Sequence, residues 1–365
     1  MIIGIGGAGT KVASKLDAEA TIINVSETEL TKIPVAGRRV LAVVHDQHGQ
    51  FRGSRKNPAI GHDAYLSVRR DLQEMARGSM VFSSTGGGTG NGITTGLLQD
   101  LARRESIPEA EKTSFGLILP YAELEPAEFV RNTIDFLRGP LSEAIDSGNT
   151  GNILLFSNRV KFESRLSEEA FNVMIVDSLR VFLAIPDKND TLRLLDGHID
   201  PEDFGLFTAR PYFNHFTYFD YDPAQPFEKQ LDANINPLLL APEAPIEALF
   251  LVEVPEGGDP TVFYDVLQYF NDLNVAPVYS VVENPERTQP FITVALLYSR
   301  KPAELLADFN KRNEQHAQVK VRKSLEQYVD LPKLDVNLER EAKRAVKQRG
   351  TDDDILQVLK RLGKL

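Results

Sequence analysis

Ser83-Ser84-Thr85-Gly86-Gly87-Gly88-Thr89-Gly90-Asn91-Gly92 is the stretch whose reading decides the fold. It closes a short apolar run, Met80–Ser84, which reads as a strand, and leads into Gly92–Arg104, an amphipathic pattern expected to be helical from near Ile93. Five glycines within seven positions are costly in conformational entropy, and a plain strand-to-helix turn accounts for one or two of them. Backbone N–H groups freed of side chains at the start of a helix are suited to cradling a phosphate.

A second glycine cluster stands at the beginning of the chain. Gly4-Ile5-Gly6-Gly7-Ala8-Gly9 ends the strand-like run Met1–Ile5 and opens a helix expected from near Thr10. By itself this pattern fits a dinucleotide site or a tight turn equally well. Around the two clusters, strand-like runs at Ala20–Asn24, Arg39–Val44, Ser114–Leu119 and Ile153–Phe156 alternate with helical patterns such as Asp63–Met75. The expected fold class is therefore α/β, a largely parallel Rossmann-like sheet covered by helices, with ligands at the carboxyl ends of its strands. Leu166–Ala184 reads as a long central helix, apolar on most sides and expected to be buried between two bodies. A smaller mixed α/β block follows, with strands at Ile246–Val254, Ala276–Val282 and Pro290–Tyr298 around a helix at Thr261–Asn274. The tail is helical and highly charged. The expected organisation is 1–165, 166–198, 199–300 and 301–365.

Composition narrows the class without deciding it. With 42% hydrophobic and 25% charged residues among 365, the chain reads as a folded protein long enough for two cores. Its net charge of -11 disfavours a whole-body role in coating DNA or anionic lipid. There is no cysteine, which removes disulfides and thiolate metal sites, and no run nears the roughly 20 apolar residues of a membrane span. The start Met-Ile-Ile-Gly lacks a signal-peptide pattern, and a cytoplasmic location is expected. His45, Asp46 and His48 form a poor single metal site without further ligands.

Gly86–Gly92 resembles the signature loop of the tubulin/FtsZ superfamily, with Asn91 where that family usually has Ser, Ala or Thr. Lys56-Asn57-Pro58-Ala59-Ile60-Gly61 is similar to its γ-phosphate-sensing loop, though poorer in glycine. Asn24-Val25-Ser26 falls where another phosphate-facing loop is placed, and an ordinary β-to-α turn is the competing reading. The resemblance implies a GTP/GDP site built from Gly6, Gly7, Ala8, Gly9, Asn24, Gly86, Gly87, Gly88, Thr89, Gly90 and Asn91, with Mg²⁺ on the phosphates. Asn158, in Ser157-Asn158-Arg159, implies a contact to the guanine edge, which its amide suits by offering both a donor and an acceptor. Phe171 and Asn172 open the central helix where the family places a ring and a polar group on the base; Phe171 as plain core is the alternative. Glu123, Glu125 and Glu128 all fit the ribose position, and Glu125 is taken as the candidate.

His198-Ile199-Asp200-Pro201-Glu202-Asp203-Phe204 is similar to the family's activating loop, with His198 in place of Asn. In isolation its two aspartates read as a helix N-cap and a first-turn charge. A central helix roughly 27–30 Å long, at about 1.5 Å per residue, separates Asp200 and Asp203 from their own phosphates. They would then act on a neighbour's nucleotide, a heterologous contact that propagates as a filament. The resemblance thus implies an assembly-dependent GTPase that polymerises head-to-tail with itself. It extends through Phe227–Leu239, with its Pro-Leu-Leu turn, to about residue 300, and sits best with the phage or plasmid branch. That branch implies DNA segregation or cargo positioning, and a DNA-binding adaptor or phage cargo as partner. The alternatives are a division or cell-shape protein, a scaffold that does not hydrolyse GTP, and a Rossmann oxidoreductase. The Lys333–Gln348 stretch reads as a solvated helical face. The Asp352–Leu365 helix, with Ile355, Leu359 and Leu362 on one side, is expected to dock on a neighbour or partner.

Overall fold

The computed structural model describes residues 1–46, 49–50, 52–300, 309–312, 314–315, 317–319 and 321–322. Met1–Asn313 forms one compact unit and Glu314–Leu365 a second. The readings made for His48 and for the tail from Lys333 lie outside the described residues.

The strands run β1 (Ile2–Ile5), β2 (Thr21–Asn24), β3 (Arg39–Leu41), a two-residue hairpin of β4 (His45–Asp46) and β5 (Gly49–Gln50), β6 (Met80–Ser84), β7 (Thr113–Leu119), β8 (Thr150–Ser157), β9 (Arg193–Gly197), β10 (Phe213–Asp220), β11 (Glu247–Val254), β12 (Val278–Glu283) and β13 (Phe291–Tyr298). All but the hairpin join in one sheet ordered β3-β2-β1-β6-β7-β8-β10-β13-β11-β12-β9. From β3 to β10 every pairing is parallel. Beyond β10 the sheet is mixed: β13 is antiparallel to both β10 and β11, while β12 runs parallel to β11.

The parallel half decides where a ligand sits. The chain leaves β1 outward through β2 to β3, and later leaves β6 through β7 to β8 on the opposite side. These paths diverge between β1 and β6, which pair Ile5 with Ser83 at their carboxyl ends. Such a topological switch point opens a crevice outside the strand ends. Both glycine clusters begin there, one residue or two past the last strand position.

The central helix, Glu168–Leu183, is capped by Ser167 Oγ, which accepts the Ala170 N–H. At 16 residues it is about 24 Å long. Phe171, Ile175, Leu179 and Phe182 are buried at helical spacing, and Phe182 stacks on Phe216 of β10 with ring centroids 4.8 Å apart. The expectation of burial on most sides is not met. Val173 and Met174 are 41% and 38% exposed, on the turns that also carry the Asp177–Arg180 ion pair. Arg180 Nη2 also donates to Lys15 O at 2.8 Å, so the ion pair borders helix Gly6–Leu16, with Val173 and Met174 exposed beside it.

Candidate nucleotide site at the switch point

Both glycine clusters form helix starts directly, earlier than the sequence pattern indicates. The first helix spans Gly6–Leu16 and the second Thr89–Ala102. Glycine disfavours helix interiors, so propensity places these starts later, but close backbone packing overrides it here. Gly6 has φ +71°, and a Cβ on it would meet the Gly90 nitrogen at 2.7 Å, so the two loops touch backbone to backbone. A Cβ on Gly9 would lie 2.1 Å from the Phe82 carbonyl oxygen.

The initial four N–H groups of a helix have no intrahelical acceptor and normally take a side-chain cap. Helices beginning at Glu27, Pro58, Glu168 and Pro201 have one, from Ser26, Asn57, Ser167 and Asp200. The two glycine helices, preceded by Ile5 and Gly88, have none, as is also true of those beginning at Ala127, Pro140, Arg159, Ile185, Phe227 and Phe263; what sets the glycine pair apart is that their starts meet. Two uncapped helix N-termini converge on one crevice, each contributing partial positive charge, which is an arrangement suited to an anion.

Packing, and not ligand approach, accounts for most of the five glycines. Gly86 is pressed against Phe129, Gly88 against Ser54 and Asn57, Gly90 against Ser84, and Gly92 against Pro58. Gly87 and Gly7 face only a side-chain oxygen each: an added Cβ would lie 3.3 Å from Ser84 Oγ and 3.4 Å from Glu29 Oε2, contacts that a small side-chain shift relieves. Gly9→Ala is therefore expected to lower stability by about 1–3 kcal/mol through overpacking, whereas Gly87→Ala should stay within about 1 kcal/mol of the parent. Equilibrium denaturation of the two variants checks this contrast.

Asn91 and Asn132 hold the loop from behind. Asn91 is 3% exposed, and its Nδ2 donates to the carbonyls of Thr85 and Asn132, at 2.5 and 3.1 Å. It is a loop clamp facing away from the crevice. Asn132 Nδ2 donates to Gly86 O at 2.9 Å and to Lys56 O at 3.2 Å, and Thr89 Oγ1 donates to Ser54 Oγ at 3.0 Å. The 54–57 turn, closed by the Asn57 N–H on Ser54 O, is thereby stapled to the glycine loop. Asn132 carries no sequence signal of its own, because its partners are carbonyls in two distant segments.

Asn24 serves its own turn: Oδ1 accepts the N–H groups of Val25 and Ser26, and Nδ2 donates to Glu29 at 2.7 Å. Ala8 is half-buried, packed on the core. On the other flank, Glu125 Oε2 accepts from the Tyr121 N–H at 2.6 Å and from Asn158 Nδ2 at 2.9 Å, so these two predicted residues are brought together. Lys11–Glu168 and Lys15–Glu169 ion pairs, at 2.8 and 2.5 Å, fix the start of the central helix beside the first glycine helix. Phe171 there is 2% exposed within the apolar core, leaving no ring face open. Asn172 is 3% exposed, and its Nδ2 has no acceptor among the described residues. An orphaned buried donor is costly and calls for a partner that the protein does not supply.

The acidic pair lies at the opposite end of the strands. Helix Pro201–Thr208 is tied to the starts of β7 and β8: Ser114 Oγ donates to Thr208 O at 3.1 Å, and Asn152 Nδ2 to Phe207 O and Arg210 O at 3.0 and 2.9 Å. Asp200 is its N-cap, accepting the Asp203 N–H at 2.7 Å. The Asp203 carboxylate, half-buried, has no hydrogen bond or ion pair among the described residues. The two aspartates thus differ in what their side chains already do.

No protein-family model matches the chain, and no curated protein does. Solved structures do. TubZ of Bacillus thuringiensis serovar israelensis, in a GTPγS-form protofilament, superposes with a TM-score of 0.71 at 14% identity, covering 88% of this chain and 93% of that one. CetZ2 from Haloferax volcanii, a GTPγS-bound protofilament, gives 0.63 at 19% identity, covering 87% and 98%. An FtsZ dimer from M. jannaschii gives 0.57 at 16%, covering 81% and 86%. With its glycine loops at the switch point, its central helix and its mixed second half of the sheet, the chain has the tubulin/FtsZ fold.

Proposed function

We propose that this chain binds GTP at the switch point and hydrolyses it only between head-to-tail copies of itself. The observation that carries this reading is the meeting, through Gly6 and Gly90, of two helix N-termini that have no side-chain cap. The phosphates lie on the N–H groups of these loops. Guanine lies toward Asn158 and Asn172, whose orphaned amide donor fits a carbonyl on the base. Glu125 takes the ribose, and Phe171 supports this wall from inside the core. Among the described residues no three acidic or imidazole groups converge as a metal site, so Mg²⁺ would draw its ligands mainly from phosphate and water, with Glu29 the acidic side chain at hand.

The acid helix stands at the amino ends of the strands and the glycine loops at the carboxyl ends. A subunit stacked in the same orientation therefore brings its Asp203 to the nucleotide of the subunit below. Water attacks the γ-phosphorus in line, the bond to the β,γ-bridging oxygen breaks, and GDP and phosphate leave. Asp203 orients that water, while Asp200 shapes the turn that presents it. The acid loop opens the activation domain assigned to 199–300, after a GTP-binding domain at 1–165 and a connection at 166–198. Protofilaments of the TubZ and CetZ2 neighbours support self-assembly as the mode. Positioning of phage or plasmid DNA or cargo, through an adaptor in the cytoplasm, is the role that best suits the resemblance.

One observation favours a second reading, a filament that binds GTP without hydrolysing it: Asp200 is already engaged as a helix cap. GTP turnover measured against protein concentration, with light scattering in parallel, separates the readings. A threshold common to both signals is expected. Turnover that is linear from the lowest concentration would mean that a monomer completes its own site, and scattering without turnover would select the scaffold.

A further inference from the structure

We propose that Arg312 is a positioning residue for the ribose contact: its guanidinium, 189 positions beyond Glu123, holds the turn that presents Glu125. The inference rests on the nucleotide reading above and concerns a residue that reading does not use.

The turn after β7 closes on Tyr121. Leu124 and Glu125 donate their N–H groups to Tyr121 O, at 3.2 and 3.0 Å, and Glu125 Oε2 accepts the Tyr121 N–H in return. Ala122 is buried, but Glu123 and Leu124 are exposed, so the apolar core holds one residue of the turn and leaves its middle in water. Three carboxylates gather around the tyrosine: its hydroxyl donates to Glu123 Oε2 at 3.0 Å and to Glu163 Oε1 at 3.4 Å, while Glu125 sits on its backbone. Their mutual repulsion works against closure.

Arg312 supplies the opposing charge. Its Nη2 donates to Glu123 O at 2.8 Å, in the middle of the turn. A hydrogen bond from an ionised donor is roughly twice as strong as a neutral one. The segment that carries Arg312 is itself fixed. Residues 309–312 are helical, Phe309 is 2% exposed in the core cluster that contains Val130, Ile134 and Leu137, and Asn310 Oδ1 accepts from Arg138 Nη2 at 3.1 Å. Those four partners lie on helix Ala127–Arg138, which starts two residues after Glu125 and also carries Asn132, the clamp on Gly86 O and Lys56 O. Segment 309–312 thus engages this helix through the core and at its end, and through Arg312 the turn before its start. With Arg312 removed, the turn gains freedom, and the Glu125 carboxylate is spread away from its place 2.9 Å from Asn158 Nδ2.

The test uses the full chain and measures dissociation constants for GDP and 2′,3′-dideoxy-GDP by calorimetry, in the parent, Arg312→Gln and Arg312→Lys. GDP avoids hydrolysis, and the dideoxy analogue lacks both hydroxyls that Glu125 could accept from. The ratio of the two constants is taken within one protein, so any lower folded fraction cancels from it. The parent should prefer GDP by about 10- to 100-fold, the value of a hydrogen bond to a charged group. Arg312→Gln should lose about 3- to 10-fold of that preference while binding the dideoxy analogue as the parent does, and Arg312→Lys should keep most of it. In a Glu125→Gln background, Arg312→Gln should change the ratio no further. An unchanged ratio in Arg312→Gln, or equal weakening of both ligands, overturns the inference and leaves the nucleotide site standing. A parent that binds both ligands equally removes Glu125 from the ribose and this inference with it, and a parent that binds neither overturns the nucleotide reading as well.

Discussion

Asp203→Asn should reduce GTP turnover per polymerised subunit by roughly 10²- to 10⁴-fold, the span usually lost with a group acting on the attacking nucleophile. Binding of GTP by the monomer should be unchanged, because helix Pro201–Thr208 is anchored to the amino ends of β7 and β8 and the glycine loops follow the carboxyl ends of β1 and β6. The substitution is nearly isosteric, and the Asp203 backbone N–H remains available to Asp200. Its filaments should therefore form at the usual threshold and persist longer after GTP is limiting. Asp200→Ala behaves differently: it removes an N-cap, costing about 1 kcal/mol, and disturbs the turn itself. Phosphate release measured above the assembly threshold, with pelleting to count polymerised subunits, checks both variants. Full turnover in Asp203→Asn filaments would remove Asp203 from the chemistry.

Glu253→Gln should destabilise the fold by about 3 kcal/mol, the low end of the range for breaking a buried ion pair. Glu253 is 0% exposed, and its carboxylate meets Lys188 Nζ at 2.5 Å, Arg287 Nη2 at 3.1 Å and Asn284 Nδ2 at 2.6 Å. The variant leaves two cations facing an amide. Lys188 and Arg287 retain some water, at 22% and 29% side-chain exposure, and Arg287 lies 3.7 Å from the Phe291 ring centroid, which moderates the loss. Burial pushes the Glu253 carboxyl up, but the hydrogen bonds and charges of Arg287, Lys188 and Asn284 outweigh it and hold it below the usual carboxylate range. A carboxyl held lower in the folded state than in the unfolded chain contributes stability that is complete above the ordinary carboxylate value of about 4 and is lost as pH falls through the folded value. The parent should show this acid limb in urea denaturation between neutral pH and acid, and Glu253→Gln should lack its share of it. Equal stability of the two proteins at neutral pH would mean that the cluster is not coupled to folding.

The same cluster has a place behind the acid loop. Lys188 and Asn189 share the short helix Ile185–Thr191, and Asn189 Oδ1 accepts the N–H of Ile199, the residue before Asp200. Destabilising the cluster should therefore loosen the anchor from which the acid loop departs.

Local pattern made most elements legible. Met80–Ser84 is a strand with the expected bounds, and Phe227–Ala233, Glu247–Val254 and Phe291–Tyr298 differ from expectation by a residue at an end or by a shorter final turn. These runs are bounded by turn residues, and their apolar spacing is set by neighbours near in sequence. β9 and β10 were not signalled. β10, Phe213–Asp220, is interior to the sheet, with Asn214, His215 and Thr217 buried in it. Their polarity makes sense only through remote partners: Asn214 donates to Asn152 Oδ1, His215 Nδ1 bonds to Leu240 O, and Thr217 donates to Asn234 O. Burial pushes the His215 imidazole down to about 4, so it remains a neutral structural group in the sheet.

The glycine loops, the strand–loop–helix order and the acid pair were written in the sequence, because backbone freedom at helix starts and carboxylate spacing are properties of a few adjacent residues. Which of them are free to act was decided by packing alone. Gly86, Gly88, Gly90 and Gly92 are enclosed by neighbours while Gly7 and Gly87 face single side-chain oxygens; Asn91 turns inward as a clamp; Phe171 is sealed in the core; Asp200 caps a helix, and the Asp203 carboxylate has no partner among the described residues. The Asp200 cap is local and legible in the sequence; the other outcomes turn mainly on distant atoms, such as Phe129, Ser54, the Asn132 carbonyl or the sheet itself, and no local pattern specifies that proximity.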